Sequence, residues 1–392
     1  MKTKGRILYF FTAIAGIIMV LLIGAMAFCL VTKGDSVDKI RDNFLSQFSF
    51  IGEIQAKEEG ETVKTDEIIN EEKIDSWIKG HSIEDKVAQL LLVTPAALTG
   101  NANLVTADNT VELALRQYPV GGFVFTKENI PDEETTKQFF SSMYEYSSTI
   151  SGVAPFMALS NMDDIKVLAA DTLTLDNIHD MPTSQNQAMA LGGRLKEFGI
   201  NLNTSLVANE ESQEMTEGFA GDLNQITDLT KTYFEGLKSQ NVITSVKYFP
   251  VSGDFCDMDE ATLLGNAVVF KSLIDSGIEL VQMSDTRLNL LSKGMPATLS
   301  NKAVTEILRK KLGFNGIIVS GDLSDERITT VMDSKEAAVT AISAGCDMIY
   351  CSLDFREAYE AIVQAVWSKD LDEDRINESV KRVLKVKYQN SI

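Results

Sequence analysis

Residues 302–322 read KAVTEILRKKLGFNGIIVSGD, and this stretch contains the pattern that decides the fold. Its first half, Lys302–Lys311, is amphipathic, with apolar residues at helical spacing. Its second half contains the short apolar run Gly316–Ser320, which is typical of a strand buried on both faces of a parallel sheet. The stretch therefore predicts a helix followed by a buried strand, with Gly321 and Asp322 at the carboxyl end of that strand.

The same alternation of helical stretches and apolar runs continues along the chain from Ile74. Seven further runs of four or five residues lie at Leu90–Val93, Gly122–Phe125, Pro155–Leu159, Ile200–Asn203, Ile243–Lys247, Glu279–Met283 and Asp347–Tyr350. The amphipathic stretches lie at Thr135–Ser148, Gln187–Glu197, Leu229–Ser239, Ala261–Asp275 and Ser334–Ser343, with a final helix at Phe355–Trp367. Eight strands that alternate with helices predict an α/β fold, and eight is the number that closes a (β/α)₈ TIM-type barrel. Periodicity alone leaves an open doubly wound sheet as an equal alternative.

The first 32 residues differ in composition from the rest. Ile7–Thr32 carries no charge over 26 residues, and as a helix it would extend roughly 39 Å against a bilayer core of about 30 Å. This length predicts an uncleaved transmembrane signal anchor, with cleavage at Ala25-Met26-Ala27 as the alternative. Basic residues at positions 2, 4 and 6 precede the apolar run, so the positive-inside rule predicts a single-pass protein of the cell membrane whose C-terminal domain is extracytoplasmic.

Composition and charge divide the remainder into a linker over residues 33–75 and a barrel over residues 76–392. The stretch Glu53–Lys73 is strongly charged and lacks aromatic residues, which is typical of a solvated spacer. The whole chain has a formal net charge of −20. A surface this negative repels nucleic acid, so we expect no nucleic-acid partner.

A barrel of this type carries its chemistry at the carboxyl ends of its strands. The polar residues that follow the predicted strands are Ser160, Asn161, Asp163 and Asp164, then the loop over residues 247–259, then Ser284 and Asp285, and finally Asp322 and Asp325. Four of these aspartates (Asp254, Asp257, Asp259 and Asp285) raise the question of a cation site, but their spacing resembles no calcium loop. We therefore predict neither a metal nor a cofactor.

Seven stretches carry a family resemblance in a consistent order: Ser82–Leu90, Tyr118–Phe125, Phe198–Asn203, Pro296–Ser300, Leu308–Gly316, Ala344–Met348 and Arg382–Lys387. Together they resemble the N-terminal barrel domain of family 3 glycoside hydrolases, in particular the single-domain β-N-acetylhexosaminidases. The resemblance covers about residues 76–390 and favours the closed barrel. It implies retaining hydrolysis, in which one carboxylate attacks the anomeric carbon and an acid protonates the leaving oxygen.

The implied catalytic positions depart from the family pattern. The resemblance places the nucleophile at the position that Gly321 occupies, and glycine has no group that can attack. Asp322 is the next residue, but alternate strand residues face opposite sides, so Asp322 replaces the nucleophile only if the register slips. The family's Asp-x-His acid pair corresponds to Asp257-Met258-Asp259, in which a carboxyl group stands where histidine belongs. Asp322, Asp257 and Asp259 are therefore the catalytic candidates.

The implied sugar-binding positions have also changed. The family's Lys-His-Phe-Pro-Gly-His-Gly-Asp loop corresponds to residues 247–254, where Lys247, Tyr248 and Asp254 are the candidates for substrate binding. The family's Asp-Gln-Glu-Gly-Gly loop corresponds to residues 160–164, with Ser160 and Asn161 as candidates. Two of these residues also have a structural interpretation, in which Lys247 pairs with Asp254 and Tyr248 packs the barrel mouth.

Three functions remain open. The first is a catalytically impaired, hexosaminidase-like barrel at the cell surface that binds glycan containing N-acetylglucosamine, including peptidoglycan fragments. The second is a working glycosidase with rearranged carboxylates, in which Asp322 or Asp325 acts with Asp257 or Asp259. The third is a non-enzymatic envelope scaffold or interaction protein. The sequence identifies no protein partner.

Overall fold

The computed structural model describes residues 70–169, 178–208, 218–219, 221–353 and 355–392, and in this part of the chain eight parallel strands close into a barrel. The strands are β1 (Leu91–Val93), β2 (Gly122–Phe125), β3 (Phe156–Leu159), β4 (Leu202–Val207), β5 (Ile243–Phe249), β6 (Leu280–Met283), β7 (Ile317–Asp322) and β8 (Met348–Cys351). Each strand pairs with its sequence neighbours, and β8 pairs with β1 to close the ring. The prediction of a barrel is confirmed, and the open sheet is excluded.

Helices surround the barrel. Among the described residues they are α1 (residues 70–80), α2 (Ile83–Gln89), α3 (Pro95–Thr99), α4 (Asn109–Gln117), α5 (Glu133–Ser151), α6 (Met162–Ala169), α7 (Met181–Glu197), α8 (Leu223–Ser239), α9 (Glu260–Asn266), α10 (Val268–Asp275), α11 (Asn289–Ser292), α12 (Lys302–Lys311, π-helical), α13 (Glu326–Thr329), α14 (Ser334–Ala344), α15 (Phe355–Ser368) and α16 (Glu373–Gln389). Strands β1, β2 and β3 are buried along their whole length, which explains why they read as continuous apolar runs.

The structure corrects three of the predicted elements. The stretch predicted as one helix over Ala261–Asp275 is two helices, because Ala267 has a ψ of 19° and ends α9. The prediction that the last helix spans Phe355–Trp367 is wrong, since α16 follows it; α16 is rich in charged residues that obscure its apolar stripe. Strand β4 begins two residues later than predicted and continues to Val207, towards the barrel mouth.

Aspartates begin many of these helices. An aspartate carboxylate at the helix N-terminus accepts a backbone N–H that has no intrahelical partner, and its charge is favourable at that end of the helix dipole. Examples in which the side chain caps the first turn are Asp132, Asp180, Asp222, Asp259, Asp333 and Asp372. Some of the aspartates that make the chain strongly acidic therefore stabilise helix N-termini.

A buried ionic cluster holds α16 against the barrel. Asp347, which is fully buried, accepts hydrogen bonds from Arg309, from Arg382 Nη1 at 2.9 Å, from Ser379 Oγ at 2.9 Å and from the Ile318 backbone N–H at 3.0 Å. The cluster joins α12 and α16 to strand β7 through one carboxylate. It explains why charged residues recur at the end of a chain that otherwise buries apolar side chains.

The compact unit that contains the barrel begins at Asn70. Ile74 and Trp77 of α1 are buried, at 1% and 9% exposure. No helix of the described residues is long and apolar enough to cross a membrane. The predicted anchor at residues 7–32 and most of the predicted linker at residues 33–75 lie outside the described residues.

Candidate active site

Strand β7 is irregular at the point where the resemblance places the nucleophile. Val319 pairs with Met348 of β8, whereas Asp322 pairs with Tyr350, so three steps along β7 match two steps along β8. Such a bulge inserts one unpaired residue and re-aims the side chains beside it. The pairing of β7 with β8 therefore shifts by one residue before Asp322. A shift of this kind is what Asp322 would need in order to face the barrel mouth.

Gly321 is buried and is held on both sides. Its backbone N–H donates to Thr298 Oγ1 at 3.0 Å, and its carbonyl accepts from Ser320 Oγ at 2.6 Å. A Cβ built on Gly321 would overlap the carboxyl group of Asp285, far inside the 3.0 Å that real Cβ contacts respect. The space beside the strand that a nucleophile's side chain would enter is thus already occupied by a carboxyl group from the end of β6.

The Asp285 carboxyl group lies in an environment that disfavours its charge. The residue is 7% exposed, and its Oδ1 has no hydrogen-bond partner among the described residues. Burial raises the pKa of Asp285 well above its usual range, and the nearby charge of Asp325 raises it further. Arg327 and the Asp322 backbone N–H act in the opposite direction, but burial dominates. Burial thus shifts this carboxyl group towards its neutral form.

Asp322 uses its carboxylate to hold two loops. Its Oδ1 accepts the backbone N–H of Ser324 at 3.0 Å and that of Ser352 at 3.1 Å. The first bond closes the turn after β7, and the second joins this turn to the end of β8. These contacts are those of a residue that orients the loop after β7, and the role of Asp322 as a nucleophile stays a prediction.

The two acid candidates lie on the loop after β5, and both are exposed. Asp259 is the N-cap of α9 and accepts the Thr262 backbone N–H at 2.8 Å. This hydrogen bond lowers the pKa of Asp259, which is the wrong direction for a residue that must donate a proton near neutral pH. Asp257 accepts a hydrogen bond from Asn289 Nδ2 at 2.7 Å. Both carboxyl groups are exposed, whereas the general acid of a glycosidase typically lies in a buried, apolar environment.

This acid loop is held in place along its length. Phe255 and Cys256 pair with Arg287 and Leu288 in a small three-stranded sheet that Met295–Pro296 completes. Thr286 Oγ1 lies 2.9 Å from the Val251 carbonyl oxygen and 2.7 Å from that of Gly253. Glu260, the first residue of α9, forms ion pairs with Lys302 at 2.8 Å and with Lys311. These contacts fix the orientation in which Asp257 and Asp259 face the solvent.

The predicted sugar-binding residues differ in how far they are exposed to solvent. Lys247 is only 2% exposed, with its Nζ 5.0 Å from the centre of the Tyr248 ring, whereas Asp254 is exposed on the loop. Tyr248, Ser160 and Asn161 are half-buried at the mouth. Asn161 Oδ1 accepts the Asp164 backbone N–H at 2.9 Å, a bond that begins α6. The mouth therefore offers Ser160 and Tyr248 to a ligand more readily than Lys247.

Tyr350 crosses part of the barrel mouth. It lies at the end of β8, and the Ser160 hydroxyl at the end of β3 hydrogen-bonds its phenol. Burial raises the pKa of Tyr350, and the charge of Asp322 adds to this effect. Beneath it is a cavity of about 30 Å³, lined by Ser160, Thr204, Gln282, Tyr350 and Ser245, whose hydroxyl has no partner among the described residues, together with apolar strand residues. A space of this size holds ordered water and no sugar ring.

The sequence places Asp285 at a strand end without indicating a catalytic or binding role for it, and Tyr350 and Asp164 are not among the predicted site residues. Asp164 is 3% exposed, donates its backbone N–H to Asn161, and accepts the Lys127 backbone N–H at 2.7 Å; burial raises its pKa. The signal that could have found Asp285 is the pairing of an acid at the end of one strand with a glycine at the end of the next. No cluster of three or more metal-ligating side chains occurs in the part of the chain that the structure describes.

A closed parallel barrel with aspartates at its strand ends defines an α/β-barrel protein whose polar groups gather at the carboxyl ends of its strands. The family model described as the glycosyl hydrolase family 3 N terminal domain matches residues 82–386. The chain therefore belongs to glycosyl hydrolase family 3, as the resemblance implied.

Characterised relatives are similar over part of their length. A β-hexosaminidase from Methylobacillus flagellatus is 29% identical over 193 residues, which are 45% of this chain and 55% of the relative. A β-N-acetylglucosaminidase/β-glucosidase from Cellulomonas fimi is 24% identical over 228 residues, which are 51% of this chain and 40% of the relative. The chain thus spans about half the length of these relatives.

Solved structures share the fold. A family 3 β-N-acetylglucosaminidase from Paenibacillus sp. str. FPU-7 matches with a TM-score of 0.70 at 19% identity, over 79% of this chain and 63% of the other. A β-N-acetylhexosaminidase from Beutenbergia cavernae matches with a TM-score of 0.64 at 23% identity, over 78% of this chain and 98% of the other. At this level of identity, the likeness establishes the barrel fold alone.

Proposed function

We propose that this family 3 barrel binds glycan that contains N-acetylglucosamine without hydrolysing it, and that residues 7–32 anchor it in the membrane with the barrel outside the cytoplasm. One observation carries the loss of hydrolysis: Gly321 stands at the nucleophile position, and the neighbouring space holds the buried Asp285 carboxyl group. Retaining hydrolysis needs an ionised carboxylate at the anomeric carbon. Burial disfavours the ionised form of Asp285, which argues against this residue as a replacement nucleophile.

The leaving-group side of the site supports the same proposal. The pKa of Asp259 is lowered by its hydrogen bond to Thr262, so this carboxyl group is ionised at neutral pH and has no proton to donate. The contacts of Thr286 with Val251 and Gly253 hold the loop that carries it. The lowered pKa of Asp259 thus supports the proposed loss of the general acid, as Gly321 supports the proposed loss of the nucleophile.

Glycan binding is proposed from the names of relatives and from the groups at the mouth. The relatives and solved structures with which the chain shares its domain include β-hexosaminidases and β-N-acetylglucosaminidases. Ser160 and Tyr248 supply a hydroxyl group and an aromatic ring at the mouth, and both groups are suited to a sugar ring. Terminal N-acetylglucosamine of cell-wall material, such as peptidoglycan fragments, is the proposed ligand.

Membrane attachment is proposed from sequence alone. The uncharged run over residues 7–32 and the basic residues before it favour a single-pass anchor at the cell membrane. An anchor of this kind would place the barrel beside extracytoplasmic glycan. Protease accessibility of the barrel in intact cells, with a cytoplasmic protein as control, tests this part: digestion of the barrel supports it, and protection with the cytoplasmic control contradicts it.

The binding part is tested by calorimetry on the full chain in detergent, with N-acetylglucosamine disaccharides and muropeptides as ligands. We expect saturable binding that Tyr248→Ala weakens by at least tenfold, with the ligand recovered intact. Tyr144→Ala is the matched control, because Tyr144 is a half-buried tyrosine that lines a cavity beside Phe198–Asn201, at the opposite end of the barrel. Absence of binding to either ligand would favour a scaffold or interaction protein instead.

A second candidate is a working glycosidase with rearranged carboxylates. The bulge between Val319 and Asp322 favours it, because this irregularity re-aims the residues at the end of β7. In that case Asp322 or Asp325 would attack and Asp257 or Asp259 would protonate. Ligand recovered as hydrolysed product, with hydrolysis lost in Asp322→Asn, would select this candidate over the binding protein.

A further inference from the structure

The contact between Gly321 and Asp285 has a consequence for what position 321 can hold. A Cβ on Gly321 would overlap three atoms of the Asp285 carboxyl group (Oδ1, Cγ and Oδ2), all within 2.5 Å. Even alanine is therefore excluded at position 321 unless one of the two residues moves. An overlap with a flexible side-chain end would be relieved at little cost, so the question is whether Asp285 can move.

The backbone of Asp285 is fixed by both of its neighbours. The Ser284 N–H donates to the Phe249 carbonyl at 2.7 Å, and the Ser284 carbonyl accepts the Thr298 N–H at 3.1 Å. The Thr286 carbonyl accepts the Ala297 N–H at 2.9 Å, and Thr286 itself is fully buried. Asp285 is therefore held between two immobile residues, and a short side chain on a fixed backbone has few alternative positions.

The backbone of Gly321 is also unable to move away from Asp285. Its N–H is bonded to Thr298 Oγ1, and Ser320 Oγ bridges from the Gly321 carbonyl to the Tyr350 N–H at 2.9 Å. Moving the strand outward would break these bonds in a region that is buried on both sides. The overlap is thus between two groups that are both held by the barrel.

Charge adds to the steric exclusion. The groups that act on the Asp285 carboxyl group are Asp322, Asp325 and Arg327, and Arg327 is already paired with Asp325 through two hydrogen bonds at 2.8 and 2.9 Å. A carboxylate at position 321 would enter this acidic group, in which Arg327 already pairs with Asp325. Like charges that are partly buried repel each other strongly.

We propose that the Asp285 side chain blocks position 321, so that a nucleophile fits there only when residue 285 is made small. This inference rests on the proposed function. The two positions form one coupled unit, and the loss of the nucleophile cannot be reversed by a change at position 321 alone. Asp285 thereby determines which residues the catalytic position accepts.

The test is a double-mutant cycle on the full chain, read out as the thermal midpoint Tm. We expect Gly321→Ala to lower Tm by several degrees, and we expect the same change in an Asp285→Ala background to lower it little or not at all. The matched control is Gly316→Ala, because its Cβ would overlap the Glu279 backbone oxygen and the Phe314 ring, which Asp285→Ala leaves in place. Gly316→Ala should lower Tm equally in both backgrounds. A Gly321→Ala single variant as stable as the parent would overturn the proposal, as would an equal loss in both backgrounds.

A chemical readout separates blocking from a purely structural contact. An activated aryl N-acetyl-β-glucosaminide needs no protonation of its leaving group, so a carboxylate at position 321 suffices for the first step. The carboxylate would form a bond to the anomeric carbon, the bond from that carbon to the aryl oxygen would break, and the phenolate would leave with the electron pair. We expect mass spectrometry to detect the glycosyl ester in the Gly321→Asp/Asp285→Ala variant and not in Gly321→Asp.

The two proposals fail in different ways. A folded double variant that binds the sugar but forms no ester would overturn blocking as the reason for inactivity. A parent protein that binds no sugar would contradict the proposed function, while the Tm cycle would still decide whether Asp285 blocks position 321.

Discussion

The carboxylate of Asp322 accepts the backbone N–H of Ser352 at 3.1 Å, and this bond joins the end of β7 to the end of β8. The same oxygen accepts the Ser324 N–H at 3.0 Å. Asp322 is the acid nearest in sequence to the vacant nucleophile position, yet its contacts are those of a residue that shapes two loops. Sequence adjacency to a catalytic position is therefore a weak guide to the role of this residue.

Asp322→Ala is expected to destabilise the fold by about 2–3 kcal/mol, because it leaves two backbone N–H groups without their charged acceptor. Urea unfolding measures this change. Asp163→Ala is the matched control at another strand end, since Asp163 is exposed and pairs with Lys166 on the surface, at 3.2 Å. Equal stability of the two variants would show that the Asp322 contacts contribute nothing.

Asp259→Ala is expected to cost about 1 kcal/mol of stability through the loss of the N-cap of α9. Asp259→Ser should recover most of this loss, because serine also caps helices well. Chemical unfolding of the two variants checks the prediction. If Asp259 were a catalytic acid instead of a cap, serine would restore stability but turnover of the glycan would stay lost.

Asp285→Asn is expected to flatten the dependence of stability on pH. The pKa of Asp285 is raised in the folded protein by burial, so the folded state keeps a proton that the unfolded state releases above about pH 4. The contribution is therefore fully present at low pH and is lost as the pH rises towards the folded pKa. Tm measured from pH 4 to pH 8 should fall more steeply for the parent than for the variant, and a steeper fall for the variant would indicate an ionised Asp285.

Asp347→Ala is expected to cost at least about 3 kcal/mol, because it removes the carboxylate that Arg309, Arg375 and Arg382 share within 4.0 Å. Soluble expression and thermal unfolding measure the loss. A variant with an unchanged Tm would show that these arginines find other partners, and the ionic cluster would then no longer explain the position of α16.

The apolar runs predict eight buried strands, and the family resemblance favours the closed barrel over the open sheet. Strand β2 has the bounds that the apolar run Gly122–Phe125 predicts. Helix α16 escaped prediction because its buried residues Ile376, Val380 and Leu384 are separated by charged ones. Strand periodicity is a strong signal in this chain, and a stripe on a charged helix is a weak one.

The candidate site was predictable in part. Gly321 and the Asp257–Asp259 pair were found because aligned motifs fix their position along the chain. The position of the Asp285 carboxyl group against Gly321 was not predictable, because it depends on the register between β6 and β7 and on a side-chain direction that no pattern encodes. Contacts between neighbouring strand ends form only when the strands lie side by side in the closed barrel.

The proposed function depends most on the proposed absence of a functional nucleophile from this barrel. The most direct measurement is the release of dinitrophenolate from dinitrophenyl N-acetyl-β-glucosaminide by the full chain, since this leaving group needs no acid and the assay depends on the nucleophile alone. We expect release no faster than in a protein-free sample. Release that exceeds this background and disappears in Asp322→Asn would contradict the loss of the nucleophile.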